Sequence, residues 1–314
     1  MEHRLHRRTP RAYAIVNPAS AGGATGRQWS AIACLLDGAI GKFDFEFTRE
    51  RSHATALARQ AIAAGYPLIV AVGGDGTINE VANGFFSGQC RVGPDAALGI
   101  VPAGTGSDLN RSIDLGVSVK NACDRLASGC SLEIDIGHVH CVGKSGAAED
   151  RVFVNVGSFG CAALAVERLG SRSKRLGGRY SYIVTAAAAL ATYRDQRVNV
   201  SVDGAAAQDL SVTNFAICNG AYFGGGIRVA PFARLNDGYF DVTVWRGFGL
   251  GDLLMKRRAL YDGTHLRQPG TRAFRAERLH ASANDHVLLE LDGEHVGRLP
   301  ASFRILPRAL RLKA

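Results

Sequence analysis

The stretch LIVAVGGDGTINEVANGFF, Leu68 to Phe86, sets Gly73, Gly74, Gly76 and the carboxylate of Asp75 between an apolar run and a helical pattern. Backbone N–H groups of a glycine turn, at the positive end of a helix, make an anion site. Asp75 would repel a phosphate bound there unless a divalent cation lay between them. Mg2+ suits that place because it takes one or two carboxylates together with substrate phosphates. Asp75 therefore reads as a metal or metal-water ligand in a nucleoside triphosphate site. The bland alternative is a helix-capping aspartate, although Thr77 already offers a capping oxygen. No G-x-x-x-x-G-K-[ST] and no G-x-G-x-x-G occurs, so neither a P-loop nor a dinucleotide fingerprint is present. A second carboxylate set stands far along the chain, in LELDGEHVG, with Asp292, Gly293 and Glu294. An Asp-Gly pair between alternating apolar residues is first of all a hairpin turn. The same reading applies to VDGAAA (Val202 to Ala207) and to LNDGYFD, which holds Asp237 and Asp241.

The elements that must position these groups follow one plan in the first third. AYAIV (Ala12 to Val16) runs into NPASAGG, LIVAV into GGDGT, and LGIV (Leu98 to Val101) into PAGTGSD. Each is a short strand-like run ending in a glycine turn. In the second unit Ile78, Val81, Ala82 and Phe85 share one helical face, and Thr77 with Glu80 forms a T-x-x-E capping box. Strands alternating with helices imply a parallel sheet that binds ligand at its carboxyl edge, with all three turns along it. From about Leu132 the pattern changes to strand-like runs separated by turns: LEIDIGHVHCV, RVFVNVGSFG, RVNVSVDG, LSVTNFAICNG, IRVAP, YFDVTVW and HVLLELDGEHVG. These predict an antiparallel sandwich, interrupted by helices at 162–169, 180–193 and 251–261. Two domains result, 1–133 and 134–298.

Composition narrows the partners. A chain of 314 residues, 46% hydrophobic and 21% charged, buries ordinary cores. Its formal charge of +9 favours an anionic partner: nucleotide, nucleic acid or an acidic membrane surface. Seven cysteines without a C-x-x-C pair fit a reducing cytosol. The basic start has no apolar segment behind it, so no secretory signal is expected, and YIVTAAAALATY falls short of the ~20 residues that span a bilayer. Any membrane contact is expected to be peripheral.

VGGDGTINEVANG, followed by GIVPAGTGSDLNRS, resembles the diacylglycerol kinase catalytic-domain family of bacterial diacylglycerol- and sphingosine-type lipid kinases. VNPASAGG matches its first nucleotide turn, and NVGSFG, NGAYFGGGIRVAPFARLNDGYFDV and LDGEHVG stand in the family's order. The resemblance implies an α/β nucleotide-binding domain, NAD-kinase-like with a parallel sheet and helices, plus a β-rich antiparallel sandwich domain. It implies that residues 299–314 return to the first domain. It puts Asn17, Ser20 and Gly22 near nucleotide, and Gly73, Gly74, Asp75, Gly76 and Thr77 on phosphates and Mg2+. Gly104, Thr105 and Asp108 would support ATP. Asp292 would be the catalytic base with Glu294 beside it, and Asp237 a ligand of a structural Mg2+. Ser107 departs from the family's usual Asn.

The basic run ERLGSRSKRLGGRY, with Arg168, Arg172, Lys174, Arg175 and Arg179, is a solvated face or a dock for anionic lipid, and MKRRALY extends it if the two are coplanar. HVHC offers no zinc set, since alternate strand residues face opposite ways and no second ligand pair lies at suitable spacing. With no RNP-type aromatic platform or zinc finger, no nucleic acid is expected. The reading is a lipid kinase using ATP and Mg2+ on a membrane lipid with a free hydroxyl, foremost diacylglycerol, in the cytoplasm at the inner membrane face. A homodimer through exposed sheet edges stays open. The rivals are a nucleotide-gated membrane-binding module and a small-molecule kinase of the NAD-kinase or phosphofructokinase type.

Overall fold

A computed structural model describes residues 12–104, 108–114, 116, 118–171 and 178–313, the side chains of 171 and 178–182 excepted. Its first part holds strands β1 (Tyr13–Val16), β2 (Asp44–Phe47), β3 (Leu68–Gly73), the small hairpin β4 (Phe86–Ser87) and β5 (Cys90–Arg91), and β6 (Ala97–Pro102). Between them run α1 (Ser20–Arg27), α2 (Trp29–Ile40), α3 (His53–Ala63) and α4 (Asp75–Gly84), followed by α5 (Asp108–Ser112) and α6 (Val119–Ser128). The strands lie in the order β6-β3-β1-β2, all parallel. The unbroken apolar run of β3 follows from helices on both faces. Ile69 and Ala71 face Leu57, Ala58, Ile78 and Val81, while Val70 and Val72 face Trp29, Ile32, Leu36 and Leu126. α1 is not a regular helix, since Ala21, Gly22 and Gly23 have φ of 51°, 64° and 84°.

The second part is antiparallel. It comprises β7 (Ser131–Gly143), β8 (Ala148–Phe153), β9 (Val156–Gly160), α7 (Cys161–Ser171), α8 (Gly178–Thr192), β10 (Gln196–Val202), β11 (Gln208–Val212), β12 (Asn214–Cys218) and β13 (Phe240–Trp245). Helices α9 (Leu250–Met255) and α10 (Arg257–Asp262), a 3-10 turn (Thr264–Arg267), and β14 (Thr271–Ala276), β15 (Arg278–Ser282), β16 (Leu288–Leu291) and β17 (Glu294–Lys313) complete it. Its core is aromatic: Phe153 stacks on Phe240 at 5.6 Å and Phe159 on Phe215 at 4.7 Å between centroids. The 20-residue β17 pairs with β16, β15 and β7, then meets β6 in parallel at Leu312–Leu98 and Lys313–Gly99. Leu310 and Leu312 are buried in the core of the first part.

Several expectations are corrected. The capping box does not form: α4 starts at Asp75 with Gly74 as its N-cap, so Thr77 is buried inside the first turn. Glu80 reaches instead to the N-terminus of α3, where its carboxylate accepts the Ala54 N–H at 3.2 Å. IRVAP is loop with one isolated bridge, Phe223 to Ile227, because the glycines before it turn the chain. LSVTNFAICNG is two strands broken at Thr213, and the expected helix at 251–261 is broken at Lys256. β14 and β15 were not among the expected strands, since two of their four apolar positions, Phe274, Ala276, Leu279 and Ala281, are alanine, a weak strand former.

Candidate active site

The three glycine turns meet at the carboxyl ends of β1, β3 and β6, and their own groups tie them together. The Asn17 side-chain amide donates to Thr77 Oγ1 at 3.0 Å and its backbone N–H to the Val72 carbonyl at 3.0 Å. Ser20 and Thr25 hydroxyls both donate to the Ala103 carbonyl, at 3.0 and 2.6 Å. Gly104 lies so close to the second turn that a Cβ there would stand 2.4 Å from Gly74 Cα. Glycine is required by that approach of two backbones. Gly22, at φ +64°, and Gly76 are exposed. Thr105 and Ser107 lie outside the described residues.

Asp75 opens α4, at the positive end of the helix, and its Oδ2 accepts the Asp108 N–H at 3.3 Å. The Asp108 carboxylate turns away from the turn itself. It accepts Arg111 Nη1 at 2.8 Å and the Gly225 N–H of the second part at 2.7 Å. Burial pushes Asp108 above the ordinary carboxylate range, the Gly225 N–H opposes this, and the Asp75 charge adds to it. Asp75, beside the abutting glycine turns, is a hard-oxygen donor of the kind that a divalent cation bound with phosphate takes, while the Asp108 oxygens are engaged by Arg111 and Gly225.

Asp292 and Gly293 form the turn between β16 and β17, both at positive φ (48° and 80°), with Leu291 and Glu294 paired across it. The hairpin and the functional expectation thus fall on the same residue. Asp292 Oδ1 accepts the N–H groups of Asn155 and Val156, each at 2.9 Å. Its Oδ2 accepts Val154 N–H and Asn79 Nδ2, each at 2.8 Å. Every lone-pair direction of the carboxylate is in use. Burial raises its pKa, against the lowering effect of those four donors. Asn79 sits one helical turn after Asp75, ~6 Å along the axis of α4. One helix therefore carries the glycine-turn carboxylate at its start and grips the hairpin carboxylate one turn later. Asn83 completes the grip: its amide pairs with both the N–H and the carbonyl of Val152 at 2.9 Å.

Glu294 pairs with Arg151 at 3.5 Å. Behind the turn, Glu290 is buried, accepts Ser158 Oγ at 2.5 Å and the Gly293 N–H at 2.9 Å, and is pushed up by burial to about 7. At the other Asp-Gly turn, Asp237 Oδ1 accepts the Tyr239 N–H at 3.3 Å, and Oδ2 is paired with Arg275, which also stacks on the Tyr239 ring. Any cation at Asp237 would compete with that guanidinium. The turn is held from behind by buried Asp135, whose two oxygens accept Gly238 and Arg308 N–H, each at 2.7 Å.

The fold thus gathers Asn17, Ser20, Gly73, Gly74, Asp75, Thr77, Gly104 and Asp108 into one edge, ties Asp292 to it through Asn79 of α4, leaves Glu294 on Arg151 beside the Asp292 turn, and keeps Asp237 in a separate turn. Sequence reasoning missed Asn79, Asn83, Asn155, Asp135 and Glu290. Their only signal was polarity inside otherwise apolar patterns.

Comparisons with known proteins bear on the family and the fold. A family model described as diacylglycerol kinase catalytic domain matches residues 11–139, and one described as YegS C-terminal NAD kinase beta sandwich-like domain matches residues 155–314. The chain is 26% identical over 293 residues to a Staphylococcus carnosus diacylglycerol kinase, covering 93% of this chain and 91% of the relative. It is 28% identical over 260 residues to one from Bacillus subtilis, covering 82% and 81%. A crystal structure from Bacillus anthracis superimposes with a TM-score of 0.75 at 20% identity, covering 98% of this chain and 97% of the other, which shows a shared fold.

Proposed function

The chain belongs to the diacylglycerol kinase catalytic-domain family, and on that premise we propose that it transfers the γ-phosphoryl group of ATP to a hydroxyl of a membrane lipid, foremost diacylglycerol. The observation that carries this reading is the sharing of α4: Asp75 at its first residue, and Asn79 on Asp292 at 2.8 Å one turn later. A transfer site needs its phosphate cradle and its acceptor-side carboxylate held at fixed separation, and one rigid helix supplies that.

In the proposed step the lipid oxygen attacks the γ-phosphorus, the bond to the β-phosphate oxygen breaks, and ADP departs. The hydroxyl proton passes to Asp292 and then to solvent. To take it, the carboxylate gives up one of its four hydrogen bonds. The Asn79 bond is the one of the four that comes from a side chain, the other three coming from backbone N–H groups. In a loose transition state little proton transfer has occurred, so the position of Asp292 counts for more than its basicity. Glu294, set beside the turn, orients that aspartate or a water. Gly73, Gly74, Gly76 and Gly104 present backbone to the phosphates, the resemblance adds Thr105 to the nucleotide contacts, and Asn17, Ser20 and Gly22 close the first turn over nucleotide. Asp75 would hold Mg2+, which supplies charge neutralisation between the carboxylate and the phosphate oxygens. Asp237 is the second proposed Mg2+ ligand, in competition with Arg275. The division into 1–133 with 299–314 and 134–298 belongs to the same reading. Among the described residues no helix is long and apolar enough to cross a membrane. We place the enzyme peripherally, at the cytoplasmic face.

The test incubates purified protein with labelled ATP, Mg2+ and a panel of lipids, beside Asp75→Ala and a chelated control. One lipid class should be labelled, and the substitution should cost at least about tenfold in turnover. A wild-type chain that binds ATP but labels no lipid hydroxyl would overturn the proposal.

A further inference from the structure

α9 is turned inside out relative to an ordinary surface helix. Leu250, Leu254 and Met255 are 37%, 68% and 88% exposed. Spaced i, i+4 and i+5, they form with exposed Gly251 one outward stripe. The opposite side is fixed inward: Leu253 packs on the cluster of Val156, Ala216, Cys218, Trp245 and Leu260. The helix start is pinned as well, since Asp252 accepts the Gly249 N–H at 2.9 Å and pairs with Lys256 at 2.6 Å. The apolar stripe is therefore held out on a braced element. Lys256 and the exposed Arg257 and Arg258 follow it directly, three cations against the two carboxylates of Asp252 and Asp262.

We propose that α9 seats the protein on an anionic bilayer, with Leu254 and Met255 in the boundary between acyl chains and headgroups and Arg257 and Arg258 on the lipid phosphates. An apolar stripe bordered by cations is the composition that an interfacial helix needs. A second copy of the chain fits less well. A two-fold contact would bring the same three cations face to face. α8 packs beside α9 and exposes Val184. The surface is also linked to the cleft. The Leu260 carbonyl of α10 accepts the Arg228 N–H at 2.9 Å, and Gly225 of the same loop donates to Asp108 at 2.7 Å. Docking through α9 thus brings the cleft to the bilayer, and the inference rests on the lipid-kinase reading only in that link.

The test is co-sedimentation of the full chain with phosphatidylglycerol–phosphatidylcholine vesicles and with pure phosphatidylcholine vesicles. Wild type should bind the anionic vesicles more tightly. Leu254→Ser with Met255→Ser should lose about tenfold in vesicle affinity at unchanged melting temperature. Arg257→Gln with Arg258→Gln should lose about tenfold at low salt and less at high salt. Equal vesicle binding by wild type and the serine variant would overturn the proposal, as would a wild-type dimer in sedimentation velocity that the serine variant splits while vesicle binding persists. Phosphorylation of a short-chain, monomeric diacylglycerol is measured in parallel. If neither protein phosphorylates it while the serine variant still loses vesicle binding, the kinase reading falls and α9 docking stands. If both phosphorylate it and vesicle binding is unchanged, docking alone falls.

Discussion

Replacing Asp292 by asparagine is the natural way to remove a catalytic carboxylate while keeping its shape, yet here it should also unfold the protein more readily. The carboxylate accepts four N–H groups, from Asn155, Val156, Val154 and Asn79, all at 2.8 to 2.9 Å. An asparagine oxygen can serve one pair, and its NH2 then faces the other pair donor to donor. The cheaper orientation keeps Asn155 and Val156 and strands the Val154 N–H, while the Asn79 side chain turns away. Losing two charge-assisted bonds and leaving one buried donor unmet costs about 3–5 kcal/mol, and release of a buried charge returns about 1 kcal/mol. Asp292→Asn should therefore lose about 2–4 kcal/mol of unfolding free energy in urea titrations. Asn79→Ala, which removes one of the four donors together with the Asn79 bonds to Val152 and Asn83, should lose about 2–3 kcal/mol. Turnover is measured on the same samples below the onset of unfolding. If Asp292→Asn unfolds within about 0.5 kcal/mol of wild type, the four contacts carry no stability and the anchoring argument is wrong.

Three other substitutions probe the neighbouring parts. Gly104→Ala must push apart two backbones now too close for a Cβ, 2.4 Å from Gly74 Cα, and calorimetric titration should show ATP affinity reduced by at least about tenfold. Burial raises Glu290 from 4.5 to about 7, so the folded chain holds this proton more tightly than the unfolded one. The resulting stability is complete below the unfolded value and is lost as pH rises through about 7. Glu290→Gln copies the protonated form, and its advantage over wild type in urea should grow by about 3 kcal/mol between pH 4.5 and 8; a difference that does not change with pH defeats the assignment. Glu80→Ala removes the acceptor for the Ala54 N–H at the start of α3 and should cost about 1 kcal/mol of stability, with ATP affinity in the same titration unaltered.

The parallel half was legible because its periodicities are clean. β3 is apolar on both faces since helices cover both, and its glycine turn follows at once. The sandwich was legible in outline, where alternation survived. It failed at IRVAP, whose preceding glycines prefer a turn, and at β14 and β15, where alanine takes two of the four apolar positions and weakens the strand signal. The capping box failed for a related reason. T-x-x-E is a local pattern, and Gly74 had already started the helix three residues before Thr77, freeing Glu80 to cap a different one.

What the sequence determined by itself was local: which runs become strands, where glycine lets two backbones touch, and that Asp75 and Asp292 stand in turns. Tertiary structure alone decided that those two carboxylates share a helix through Asn79, across 213 residues of chain. It also decided that Asp108 faces Gly225, and that the stripe of α9 points outward. Turn and strand preferences are properties of neighbouring residues, so they can be read along the chain. The partner of a buried carboxylate is set by which distant N–H groups the packed sheet delivers, and no pattern of near neighbours carries that information.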